Sequence, residues 1–142
     1  MSMTFEDLDA WKKSRELVNA VYKITREPAL ARDFGLSNQV QRAAVSVMSN
    51  LAEGFERQGT GEKLQAYNIA RGSAGEVRSL LYVIEDNYPA CGREAVKARA
   101  LVGDVGRLAT GLITSTRRRL AAKVGAQSAL VVAVVWCCLR FI

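Results

Sequence analysis

Glu53 and Glu76 are the only carboxylates that the helical pattern of this chain sets at a buried helix edge. Two such groups could share a proton or ligate a metal. No third or fourth ligand follows either one in helical register, and neither has the Glu-x-x-His partner of a di-iron bundle. Histidine is absent from all 142 residues, which removes the commonest general base and the commonest metal ligand together. Ser46, Ser49 and Ser73 therefore have no imidazole to activate them, and no lysine is marked out for a Ser–Lys arrangement. Gly72-Ser73-Ala74-Gly75 lacks the lysine of a phosphate loop and lies mid-helix, where backbone amides are already bonded. The expectation is a chain with no catalytic residue, no metal and no cofactor. A buried carboxylate without a donor is costly, so Glu53 and Glu76 are expected to form salt bridges with Arg42 or Arg71. Arg42, Ser46, Asn50, Glu53, Arg71, Ser73 and Glu76 make up this expected structural polar network.

Charge points to a different chemistry. Residues 1–92 carry a net charge of −1 and residues 93–142 a net of +7, within an overall +6. Such asymmetry fits an anionic partner, either nucleic acid or a membrane surface, against the plain alternative of a solvated basic face. Arg93, Lys97, Arg107 and Arg118 fall on one outward sector of a helix, with Arg99 and Arg117 at its edge. A face of this kind tracks phosphates. Aromatic residues are sparse there and no reading-head motif is present, so binding should be salt-sensitive with little sequence preference.

Four helices position these residues. The first is expected over about 5–26, with a stripe of Trp11, Val18, Val21 and Tyr22 flanked by Leu17 and Ile24, ended by Glu27-Pro28. Residues 29–36 read as a linker. A second helix, capped by Ser37 or Asn38, runs to about Arg57 with Val40, Ala44, Val47, Leu51 and Phe55 on one face. A third spans about Glu62–Asn87 on Ala66, Ala70, Ser73, Val77, Leu80, Leu81 and Ile84, with Ile69 and Val83 widening the apolar sector. Gly72 and Gly75 each cost up to about 1 kcal/mol in a helix interior, and close interhelical packing is the expected compensation. A fourth, beyond Gly92, carries Ala98, Leu101, Val102, Val105, Leu108, Ala109, Leu112 and Ile113 to about Leu120. Short loops between long helices favour an antiparallel bundle.

The tail is different in kind. Val124–Leu139 is sixteen residues without a charge. A spanning helix needs at least about 17 apolar residues. Three readings stand: a tail packed on the bundle or across an oligomer, a membrane-associated C-terminus helped by Arg117-Arg118-Arg119 and Lys123, or a sequence with no selected fold. The three cysteines, Cys91, Cys137 and Cys138, fit neither a disulfide framework nor a zinc site, which points to a reducing cytoplasm.

Phe5-Glu6-Asp7-Leu8 with Trp11, then Tyr22, Phe34-Gly35-Leu36, Gln39 and Arg42-Ala43-Ala44, form an ordered series. It continues with Ser46, Ser49-Asn50-Leu51-Ala52-Glu53-Gly54, Ala70-Arg71-Gly72-Ser73 and Glu76. The series, within about residues 5–120, resembles the four-helix bundle family of proteins encoded in intervening sequences of bacterial 23S ribosomal RNA genes. The accessory variability determinant of diversity-generating retroelements belongs to the same group. The resemblance implies a non-enzymatic bundle assembled as a ring-shaped homo-oligomer, typically a pentamer. For the retroelement branch it implies a basic surface that binds RNA and the cognate reverse transcriptase. The family usually has proline where Met48 stands, and the tail beyond about Leu120 has no counterpart in it.

The expected fold is all-α: an antiparallel up-down-up-down four-helix bundle over 1–122, with an apolar C-terminal tail over 123–142 outside it. Trp11, Val18, Val47, Leu51, Val77, Leu81, Val105 and Leu112 are its expected core. The expected function is that of a homo-oligomeric RNA-binding accessory protein, with a reverse transcriptase as a further partner. The alternative is a structural assembly protein with no nucleic-acid partner.

Overall fold

The computed structural model describes residues 3–139, with side chains described as far as residue 125. It is all-α, and no strand occurs among the described residues. A 3-10 turn, Phe5–Asp7, leads into α1 (Asp9–Ile24). There follow α2 (Pro28–Arg32), α3 (Phe34–Glu56) and α4 (Thr60–Asn87), then a second 3-10 turn at Pro89–Cys91 and α5 (Gly92–Leu139). α1 packs against α3 and α5, α3 against α4, and α4 against α5. Gln39, Ser46 and Gly54 on α3 meet Glu76, Ser73 and Tyr67 on α4, so contacts run in opposite order along these two helices.

Side chains close the starts of the first 3-10 turn, α2 and α3, where the first amides have no intrahelical acceptor. The Asp7 carboxylate accepts the Thr4 amide at 2.9 Å. Glu27 accepts the amides of Ala29 and Leu30 at 3.0 and 3.1 Å, and Asp33 accepts that of Leu36 at 3.0 Å. Proline at the first position of α2 sacrifices no hydrogen bond and presets the helical φ. The expected linker 29–36 therefore holds a short helix, and the cap of α3 is Asp33 rather than the expected Ser37 or Asn38. Glu27-Pro28 closes one helix and opens the next.

One core collects side chains from all five helices. Val47, Leu51, Val77, Leu81 and Val105 are buried as expected, while Trp11, Val18 and Leu112 pack partly buried against its rim. On α1 the buried line is Ala10, Ser14, Leu17, Val21 and Ile24, so the true stripe is rotated from the expected one and Tyr22 is exposed. Ser14 tolerates full burial because its hydroxyl donates to the Trp11 carbonyl at 2.7 Å.

Two further expectations need correction. Gly72 and Gly75 do not serve close packing within this chain: both are exposed, with no neighbour within 4 Å of a Cβ built at either. And α5 does not end near Leu120 but runs unbroken to Leu139. No proline interrupts it there. The side chains of most of the expected tail, Cys137 and Cys138 included, lie outside the described residues. Among the described residues no helix is long and apolar enough to cross a membrane.

Candidate nucleic-acid interface

α5 orients the basic residues by its own periodicity. Its inner line, Ala95, Ala98, Val102, Val105, Ala109 and Ile113, is buried, which turns Arg93, Lys97, Arg107, Arg117 and Arg118 outward. Three of the six basic residues expected on this face, Lys97, Arg99 and Arg107, have carboxylate partners. Lys97 donates to Glu94 at 3.1 Å, and that bond is the main cause holding the Glu94 carboxyl below its usual range. Arg107 pairs with Asp104 one turn back.

Arg99 does not belong to the outward face. Its side chain is only 20% exposed and pairs with Glu85 of α4 at 2.7 Å. Its guanidinium carbon lies 4.0 Å from the Tyr82 ring centroid, a cation–π contact. The Arg99 Nε is buried without a hydrogen-bond partner. Arg99 fastens α5 to α4, a role that depends on the register of the two helices and has no signature in either helix alone.

The open positive charge gathers further along α5. Arg117, Arg118, Arg119 and Lys123 are all exposed. They span about 9 Å of helix at 1.5 Å per residue. No acidic residue occurs after Asp104 to neutralise them. Arg119 and Lys123 lie outside the expected face, although the Arg117-Arg118-Arg119 run itself marks them. The Arg119 charge reaches Tyr67 on α4, where it opposes the burial that pushes the tyrosine hydroxyl up.

Part of the expected polar network forms. The Ser46 and Ser73 hydroxyls meet at 2.9 Å across α3 and α4. The Asn50 amide donates to the Ser46 carbonyl at 2.8 Å and to its hydroxyl at 3.2 Å. Gln39 donates to Glu76 at 3.3 Å. The expected arginine donors are wrong. Glu53 pairs with Arg57, one turn on in the same helix, at 2.6 Å, and Arg57 also reaches Glu62 at 3.3 Å across the α3–α4 turn. The Glu53 side chain is 48% exposed rather than buried, so water relieves the need for a deep donor. Arg42 lines a polar cleft with Gln39, Ser46, Ser73 and Glu76, whereas Arg71 faces a separate groove between α4 and α5.

Among the described residues no three Cys, Asp or Glu side chains gather as a metal-ligand set. Burial, reinforced by the Glu27 carboxylate, pushes the Cys91 thiol up. The exposed guanidinium groups along this helix form a surface complementary in charge to anions.

Comparison with curated protein sequences returns no match. Residues 6–111 match the family model described as 23S rRNA-intervening sequence protein. The match takes in α1, α2, α3 and α4 whole, together with the start of α5. Covering about three quarters of the sequence, it agrees with the resemblance carried by the residues from Phe5 to Glu76, and the chain belongs to the 23S rRNA-intervening sequence protein family.

Proposed function

We propose that this chain is a non-enzymatic, homo-oligomeric RNA-binding accessory protein that holds RNA phosphates on the distal part of α5. The observation that carries the reading is the exposed cluster of Arg117, Arg118, Arg119 and Lys123, on a helix with no acid beyond Asp104. Family membership supports an RNA-related role. In this reading the four long helices alternate up, down, up and down. The reversed order of contacts between α3 and α4 supports that topology, as do the short connections at 57–59 and 88–91. Exposed Ile69 and Val83, on one face of α4, supply apolar area for self-assembly into a ring, with five copies as the family resemblance implies. A reverse transcriptase is the protein partner if the gene lies in a diversity-generating retroelement, and gene neighbourhood decides that point.

The test is fluorescence anisotropy of a labelled single-stranded RNA across a salt series. Each phosphate contact contributes roughly 0.7 to the slope of log K against log salt for single strands. Replacing Arg117, Arg118, Arg119 and Lys123 together with Gln should weaken binding at least tenfold and flatten the slope by about 2–3. Binding that ignores salt, or no binding at low salt, would reject the mechanism. The second reading, a structural assembly protein without nucleic acid, is favoured by the same exposed apolar residues on α4. It predicts an oligomer in light scattering together with no RNA binding at any salt.

A further inference from the structure

The groove between α4 and α5 is walled by Arg71 and Arg78 on α4 and Arg107 on α5. Its floor combines Ala74 and Gly75 from one helix with Val102, Gly103 and Gly106 from the other. At Gly75 and Gly106 no neighbour lies within 4 Å of a built Cβ, so the space over these two positions is open. Arg107 folds over Gly103, its Nη1 3.8 Å from a Cβ built there. The described ion pairs on α3, α4 and α5 occupy Arg57, Lys97, Arg99 and Arg107, and neither Arg71 nor Arg78 takes part in one. The nearest acid in sequence on α4, Glu76, is engaged by Gln39 on the α3 side.

We propose that this groove is the seat of a single RNA strand, gripped along its phosphodiester backbone by Arg71, Arg78 and Arg107. Four features of the groove favour that occupant. Arg71 and Arg78 stand two helical turns apart, roughly 10 Å along the groove, which lets two guanidinium groups hold separate phosphates of one strand. The open positions at Gly75 and Gly106 let a backbone approach the helices closely. Arg71 and Arg78 stand on one wall and Arg107 on the other, so a single backbone lying between them is contacted from both sides, which a duplex resting on the rim is not. No aromatic side chain lines the groove, so the grip is on the backbone and independent of base identity. The proposal rests on the RNA-binding reading and deepens it: the distal α5 cluster attracts the strand, and the groove seats it.

Two variants of the full chain test the groove. Arg71→Gln with Arg78→Gln removes its charge. Gly75→Gln with Gly106→Gln fills its floor and leaves every charge in place. Both glycines have open space above them and glutamine is the better helix former, so the second variant should melt no lower than the parent. Each variant is expected to weaken single-stranded RNA binding at least tenfold at fixed salt. The arginine variant should also flatten the salt slope by about 1.4. The parent should bind the single strand at least tenfold more tightly than a duplex of the same sequence. If both variants bind as the parent does while the distal α5 variant fails, the groove is rejected and the RNA reading stands. Loss in the arginine pair alone would make the contact a diffuse charge effect and also reject the groove. Equal binding of duplex and single strand would do the same. A parent chain that binds no RNA would bring down both readings.

Discussion

Gly54 shows why one glycine of the family signature has to be glycine. A Cβ there would stand 2.5 Å from Cε1 and 2.7 Å from Cδ1 of Tyr67, a buried ring that cannot swing aside as a long flexible chain could. Gly54→Ala should therefore destabilise the fold by about 1–3 kcal/mol through overpacking, despite alanine's better helix propensity. The same substitution at Gly72 or Gly75 meets open space and should stabilise by up to about 1 kcal/mol. Denaturant midpoints of the three variants check this, and a common sign would refute it. Half of this is legible in the sequence. Close packing of α3 and α4 is the right expectation, and Ser46 meets Ser73 at 2.9 Å, but the sequence points to Gly72 and Gly75, where the space is open. Which glycine takes the contact depends on the α3–α4 register, which neither segment states by itself.

At the scale of elements, the corner between α2 and α3 is the best-tied junction. Asp33 caps α3 through the Leu36 amide and accepts the Tyr88 hydroxyl at 2.8 Å, joining this corner to the α4–α5 connection. Ser37 closes it from within by donating to the Leu30 carbonyl at 2.7 Å. The Leu36 amide first, and then Tyr88, hold the Asp33 carboxyl below its usual range. A lowered folded-state value gives stability that is present above the unfolded value of about 3.9 and is lost as pH falls through the folded one. Tyr88 is pushed up, chiefly by its bond to Asp33, so its share is present below about 10 and is lost as pH rises through the raised value. Asp33→Asn should accordingly melt below the parent at neutral pH, with the gap closing as the pH falls below the Asp33 value. Thermal melts of both chains from acid to neutral pH decide it, and parallel curves at every pH would refute the charge's role. The long helices are legible in hydrophobic period, but α2 is not, because a proline that closes one helix does not announce itself as the first residue of another. The α1 stripe is misjudged by a rotation because Trp11, Val18 and Tyr22 are apolar enough to mimic an inward face. Exposure of Tyr22 shows that an apolar residue at helical spacing is not by that fact core.

For the molecule as a whole, the controlling fact is that α5 outlasts its neighbours. It has 48 residues against 28 in α4, about 72 Å against about 42 Å at 1.5 Å per residue. Its last described buried residue is Ile113, and every residue from Arg117 to Gly125 is exposed. The change from apolar stripe to arginine run is visible in the sequence and there suggests the end of a helix. It marks the end of burial instead, since the run contains no residue that breaks a helix. Length and charge together place the basic cluster where α5 has left the core, open to an anionic partner from several sides. Stability should then depend little on the residues beyond the cluster. A chain lacking residues 124–142 should keep the parent's melting temperature and, having kept Arg117, Arg118, Arg119 and Lys123, its salt slope for RNA as well. Its total helical signal should fall only by the residues removed. Circular dichroism, thermal melts and the anisotropy series measure all three. A large drop in melting temperature would mean that the end of α5 completes the core. An intact fold with lost RNA binding would move the anion site off the arginine run and into the removed segment.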